Sequence, residues 1–302
     1  MSKRSLFWST ASGKLGDIVL RNVHGETVAS KYQPQVANPR SYSQMYVRAQ
    51  FATAVKFFRH ASDNFFKFAF EDKKRNESDY NAFMRYNAKR GCIIDDLRTK
   101  TYPYPAWGLS WMLSNGSLPE AIIKVSADTD FPLSLKTPSI SESTPATIGA
   151  MSDIIIKDYG LQAGDYITIV GIKSGYSSYE YHEDIPQPKW YIRQIRINPN
   201  DETEWGGDYD INIAKDAVAG YISFNFNQDG TTIKFGSASC FAIIFSRVLP
   251  DKTLVSPSNT LGNTLWNQIT NNFTTNAAID INLQTWGATP DAILRGAIAN
   301  KR

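Results

Sequence analysis

Between positions 121 and 256 the chain alternates short β-branched and aromatic runs with turns built on glycine and aspartate, and no other feature restricts its fold as much. The runs fall at 121–125, 154–157, 165–172, 190–197, 218–226, 231–235, 241–248 and 253–256, with Gly164-Asp165 and Asp229-Gly230 as turn pairs. Within the fifth run Ile222, Phe224 and Phe226 alternate with Tyr221, Ser223 and Asn225. That is the period of two of a strand with one buried face. Positions 241–245 are apolar at both parities, as expected of a strand covered on both sides. Short runs at this spacing predict an antiparallel β-sandwich, of which a jelly roll is one form.

Ahead of the strands lies a helical block, 38–91. Asn38-Pro39 is turn chemistry, and Ser41 followed by Gln44 is a capping-box pair that starts a helix near Tyr42. Val47, Phe51, Val55 and Phe58 recur at helical steps and predict a dry face, with Gln44, Arg48, Lys56 and Arg59 opposite on a basic one. Phe65, Phe66, Phe68 and Phe70 crowd an aromatic link between layers. Asn76 and Asp79 then cap a second helix carrying Tyr80, Phe83, Met84 and Asn87, which Gly91 stops after Lys89 and Arg90.

The same block resembles a known pattern. Ala37-Asn38-Pro39-Arg40, Ser43-Gln44-Met45, the run 47–52, Asn81-Ala82-Phe83 and Tyr86-Asn87 are similar to a motif of phage and prophage proteins, including a family of unknown function in Bacteroidota and their viruses. The segment 12–16 and the run 242–247 are similar to that family's start and end, so the resemblance covers 12–256 in patches. It implies a virus-encoded, virion-associated protein made in the cytoplasm of a bacterial host. It brings no catalytic residue.

Composition narrows the function classes. With 42% hydrophobic and 20% charged residues the chain is globular. No apolar run reaches the length of a membrane span, and Met1-Ser2-Lys3-Arg4 leads into no signal-type apolar segment, so a soluble protein is expected. Cys92 and Cys240 stand beside apolar residues and are expected as buried free thiols. His24, His60 and His182 have no partners at metal-ligand spacing, and neither a metal nor another cofactor is expected. Residues 1–100 hold 18 Lys+Arg against 9 Asp+Glu, a net of +9, whereas residues 101–302 hold 14 against 20, a net of −6. A basic N-terminal part can face nucleic acid, dock on the acidic part of a neighbouring copy, or simply be a differently charged solvated surface.

At the N-terminus, 17–21 and 27–32 around His24-Gly25 predict a β-hairpin. Gly13-Lys14 is not a phosphate loop: Trp8 stands where its first glycine belongs and no Ser or Thr follows the lysine, so these glycines read as turns. The stretch 98–119, with Tyr102-Pro103-Tyr104-Pro105, Trp107 and Trp111, reads as a covering segment whose aromatics seal the seam between helices and strands; stacking on sugars or bases is the alternative. Loops 173–188 and 198–209 gather Tyr176, Tyr179, Tyr181, His182, Trp190 and Trp205 with Glu180, Glu183, Asp184, Asp201, Glu202, Glu204, Asp208 and Asp210. No calcium-loop register and no nucleophile arrangement appears among them, and a solvated acidic face is expected ahead of a subunit contact. Beyond Pro257, Leu261, Leu265, Trp266, Ile269 and Phe273 are spaced like one helical face, and Thr289-Pro290 opens a last short helix.

The sequence therefore predicts an α+β protein in three parts: a basic hairpin and helical block over 1–100, an antiparallel β-sandwich over 101–256 and a C-terminal arm over 257–302. The expected function is that of a non-enzymatic virion subunit, capsid or head–tail ring, which associates with copies of itself and with other virion proteins. Its expected contacts are Arg48, Lys56, Arg59, Lys73, Lys74 and Arg75 for nucleic acid or a neighbouring subunit, and Leu261, Leu265, Trp266, Ile269 and Phe273 as an inter-subunit arm. A DNA-binding protein using that basic set, packaged DNA included, and a carbohydrate-binding spike using the Tyr/Trp loops are the alternatives.

Overall fold

The computed structural model describes residues 12–23, 26–32, 42–60, 69–88, 110–126, 128, 130–140, 143–173, 189–205, 210–215, 220–228, 231–235 and 239–263. The chain divides into two compact units, 1–40 and 41–302.

The first unit is a three-stranded antiparallel ribbon of β1 (Gly13–Leu15), β2 (Ile18–Val23) and β3 (Glu26–Lys31), in the order β1-β2-β3. Gly16 sits at φ +60° in the tight turn that pairs Leu15 with Ile18, a backbone state that favours glycine. The glycines flanking Lys14 are thus turn and strand-end residues. His24-Gly25 lies outside the described residues.

The second unit is mostly antiparallel sheet. Its central sheet runs β13-β12-β7-β8, with β7 (Tyr166–Lys173), β8 (Lys189–Arg196), β12 (Ser239–Val248) and β13 (Thr253–Val255), and β15 (Leu261–Gly262) also pairs with β12. A second sheet runs β11-β10-β6-β5, with β5 (Ile123–Val125), β6 (Leu133–Lys136), β10 (Tyr221–Gln228) and β11 (Thr231–Thr232), and β9 (Ile211–Lys215) pairs with β10. A small two-stranded sheet joins β4 (Met112–Ser114) to β14 (Ser258–Asn259). Three helices are described: α1 (Tyr42–His60), α2 (Asp79–Asn87) and α3 (Ile148–Tyr159).

The central sheet is buried on both faces, which is why 241–245 is apolar at both parities. Phe241, Ile243 and Phe245 of β12, with Ile167 and Ile169 of β7, enter an apolar cluster shared with Leu133, Leu135, Ile222, Phe224 and Phe226 of the second sheet and Ile148, Met151 and Ile155 of α3. Cys240, Ala242 and Ile244, with Val170 and Ile172, point the other way into a cluster shared with Ala54 and Phe57 of α1, Ala82, Phe83 and Met84 of α2, and Trp111. The expected boundary at residue 100 therefore runs through one core. Trp111 does close the seam between helices and strands, stacked 4.5 Å from the Phe57 ring and 5.9 Å from that of Phe83.

Several expected strands and loops take another form in the structure. Residues 154–157, expected as a strand, are the last turns of α3. Thr147 caps that helix by accepting from the Ala150 N–H, and Gly160 ends it at φ +64°. Three consecutive isoleucines suit a strand by propensity, but the cap and the left-handed stop bracket twelve residues, and Ile155 is fully buried in the cluster between the sheets. Residues 112–114, read as linker, form β4. Strands β6 and β9 are short and were not visible as runs.

Candidate functional site

Helix α1 begins at Tyr42, as expected, and packs the apolar side of its C-terminal half on the core, whereas Val47 and Phe51 in its N-terminal half are exposed. Met45, Ala54 and Phe57 are buried, and the Phe57 ring meets Trp111, Phe83 and the edge of Trp190 at 5.6 Å. Of the predicted dry face, Val55 and Phe58 pack partly buried against the core, whereas Val47 is 62% exposed and Phe51 is 50% exposed, so that face is corrected at Val47 and Phe51. Phe58 is half-buried against the Tyr80 ring at 5.2 Å. Helical spacing puts Val47, Phe51, Ala54 and Phe58 on one face, and how far along the helix that face is covered is decided by the aromatic pocket of Trp111, Phe83 and Trp190 around Phe57. Arg48 and Arg59 are exposed on the same helix as Val47 and Phe51, so the described surface of α1 carries both apolar and basic groups. Lys56 lies on the same helix.

The remaining basic residues of the expected set lie in the turn before α2. Lys73 is committed to an ion pair with Asp79 at 2.8 Å. The Lys74 backbone N–H donates to Glu77 Oε2 at 2.8 Å, while the side chains of Lys74 and Arg75 are exposed. The helix is capped by Ser78, and Asn76, one of the expected cap residues, takes φ +65° in the turn instead. Arg85 bridges Asp72 at 2.9 Å and Glu77 at 3.0 Å, and the Tyr86 hydroxyl donates to Asp72. Burial opposes ionisation of Asp72, but the hydrogen bonds from Arg85 and Tyr86 outweigh it and hold the carboxyl below its ordinary value. Glu77 is likewise held low by Arg85. These charges fold the turn onto its helix. Glu71 performs the same service between layers, accepting from the Ser117 N–H and hydroxyl and from the Val255 N–H.

The acidic loop after β8 also has a structural task. The Ile148 N–H donates to the Thr203 carbonyl and the Gly149 N–H to that of Asp201, so the loop closes the first turn of α3. The Thr203 hydroxyl and N–H hold the Asp201 carboxyl below its ordinary value. Asp210 pairs with Arg193 at 3.5 Å. Trp205 donates its indole N–H to the Pro145 carbonyl at 2.9 Å, and Trp190 packs on Phe57. Both tryptophans are half-buried. Tyr176, Tyr179, Glu180, Tyr181, His182, Glu183, Asp184 and Asp208 lie outside the described residues. No group of three His, Cys, Asp or Glu able to hold a metal ion occurs among the described residues.

Of the expected arm, only Leu261 is described. It pairs with Phe241 in β15 instead of entering a helix, so residues 258–259 of that arm join β4 and residues 261–262 join the central sheet. Leu265, Trp266, Ile269 and Phe273 lie outside the described residues. Cys240 is a buried free thiol, pushed well above its ordinary pKa by burial; Cys92 lies outside the described residues. No described helix is long and apolar enough to cross a membrane.

Sequence reading missed the apolar surface of the N-terminal ribbon. Leu15 is 60% exposed and Ile18 is 46% exposed, and Val28 is exposed as well. The available signal was the register of β1 and β2, which places leucine and isoleucine side by side on a face too small to bury them. No family model, no curated protein and no solved structure matches this chain.

Proposed function

We propose that the protein is a non-enzymatic structural subunit of a bacteriophage particle, a capsid or head–tail ring component that works by binding copies of itself and other virion proteins. The body is a β-sandwich formed by the β12 and β10 sheets over their common apolar cluster, with α1 and α2 packed on its outer side. One observation carries the reading: large apolar side chains stand exposed on α1, at Val47 and Phe51, beside Arg48 and Arg59, although the same helix buries Phe57 completely. Apolar groups rimmed by charge are what a recurring subunit contact presents before assembly. The carboxylates described above hold turns, helix starts and ion pairs, which fits a role without chemistry. The similarity of 37–52 and 81–87 to phage proteins supports the particle as its setting.

Sedimentation velocity over a hundredfold range of concentration, electron microscopy of the concentrated protein and mass spectrometry of purified particles test this together. The expected result is mass that grows with concentration, repeated contacts between copies and the chain present in particles. A chain that is monomeric throughout and absent from particles ends the reading.

A further inference from the structure

The N-terminal ribbon makes a more specific statement about how copies meet. Its register pairs Leu15 with Ile18, Gly13 with Leu20 and Leu20 with Ala29, so Leu15, Ile18, Leu20 and Ala29 form an apolar patch on one face, bordered by Lys31, Asn22 and Thr27. The opposite face carries Lys14, Val19, Arg21, Val23, Glu26, Val28 and Ser30. A three-stranded sheet of three- to six-residue strands gains stability by burying an apolar face, yet Leu15, Ile18 and Ala29 are exposed. Residues 1–40 form a compact unit of their own. They carry 6 Lys+Arg against 2 Asp+Glu, opposite in sign to residues 101–302 with 14 against 20.

From this we infer that the ribbon is a docking module whose Leu15–Ile18 face is covered by the acidic β body of a second copy of this chain. The inference rests on the self-association proposed above and names the segment that performs it. Apolar contact supplies the attraction and opposite charge selects the body over another ribbon, because two ribbons repel.

The test uses the full chain. A photo-crosslinking amino acid at Leu20, on the central strand of the apolar face, is introduced into chains labelled with heavy or light nitrogen, and the two are mixed before irradiation. Cross-links from ribbon to residues 110–263 that join heavy to light chains are expected, together with at least a tenfold weaker association for Ile18→Asp. Far-UV circular dichroism of that variant should be unchanged. Cross-links confined to one isotope show the ribbon lying on its own chain and overturn the inference, as does an Ile18→Asp chain that associates as tightly as wild type. If Phe51→Asp weakens association while Ile18→Asp does not, self-association stands and the ribbon's part in it falls; a wild-type chain that never associates removes both.

Discussion

Single polar residues fasten this protein where apolar packing alone would leave layers free to slide. Asn87 is the clearest case: fully buried at the end of α2, it donates to the Phe83 and Met112 carbonyls and accepts the Met112 N–H at 2.8 Å. Asn87→Ala leaves a buried backbone N–H and carbonyl without partners, and should lower stability by about 2–3 kcal/mol, read from the denaturant midpoint. Tyr159 fastens α3 in the same way, its hydroxyl donating to the Lys136 carbonyl at 2.7 Å. Burial pushes its phenol up to about 12 from 10.0. A raised folded-state value means that the neutral phenol is favoured in the fold. Its stabilisation is therefore complete below pH 10 and is lost as pH rises toward 12. Wild type should lose stability more steeply than Tyr159→Phe between those limits, measured as denaturant midpoints at pH 9 and pH 11.5. Equal slopes would show that the phenol is not held in the fold.

At the scale of elements, the informative contrast is between the two halves of α1. Phe57→Ala empties an aromatic pocket lined by Trp111, Phe83 and Trp190, and should cost about 3–5 kcal/mol. Phe51→Ala, in the exposed N-terminal half of the same helix, should change the stability of the dilute chain by no more than about 0.5 kcal/mol and should weaken self-association instead. Thermal melts at low concentration paired with sedimentation at high concentration separate the two effects. The helix itself was legible in the sequence, start included, because caps and periodicity are local. How much of its apolar face is covered was not, since Val47, Phe51, Ala54 and Phe58 continue one helical face and only the partner surface decides that Val47 and Phe51 stay exposed. The long strands β7, β8, β10 and β12 were legible for the opposite reason: their apolar pattern, alternating in β10 and continuous in β12, is set by burial along most of their length. Strands β4, β6 and β9 are three to five residues long and owe their existence to a neighbouring strand. The isoleucines of α3 misled because propensity spoke for strand, while Thr147 and Gly160, which speak for helix, stand outside the run. Of the candidate interface, the charges were legible and their mixing with exposed apolar groups was not.

The whole second unit is organised on β12. Neighbouring residues of this strand, Ile243 and Ile244, face different clusters, the former shared with the second sheet and α3, the latter with α1, α2 and Trp111. A chain of this size commonly unfolds in separate steps, each with its own core. Here neither cluster can open without exposing one face of the same strand, and that strand is hydrogen-bonded to β7 along eight residue pairs. The two clusters should therefore open together. Native-state hydrogen exchange tests this directly. Peptides from α2 and from β10, which lie in different clusters, should report the same opening free energy in their slowest amides. Ile244→Ala, whose side chain touches only the helical cluster, should lower both by the same amount, about 2–4 kcal/mol. A loss confined to α2 would mean that the helical layer opens by itself and that the central sheet does not couple the two cores. Equal losses would mean that a strain applied to α1 at a subunit contact is felt in the β10 sheet through a single intervening strand.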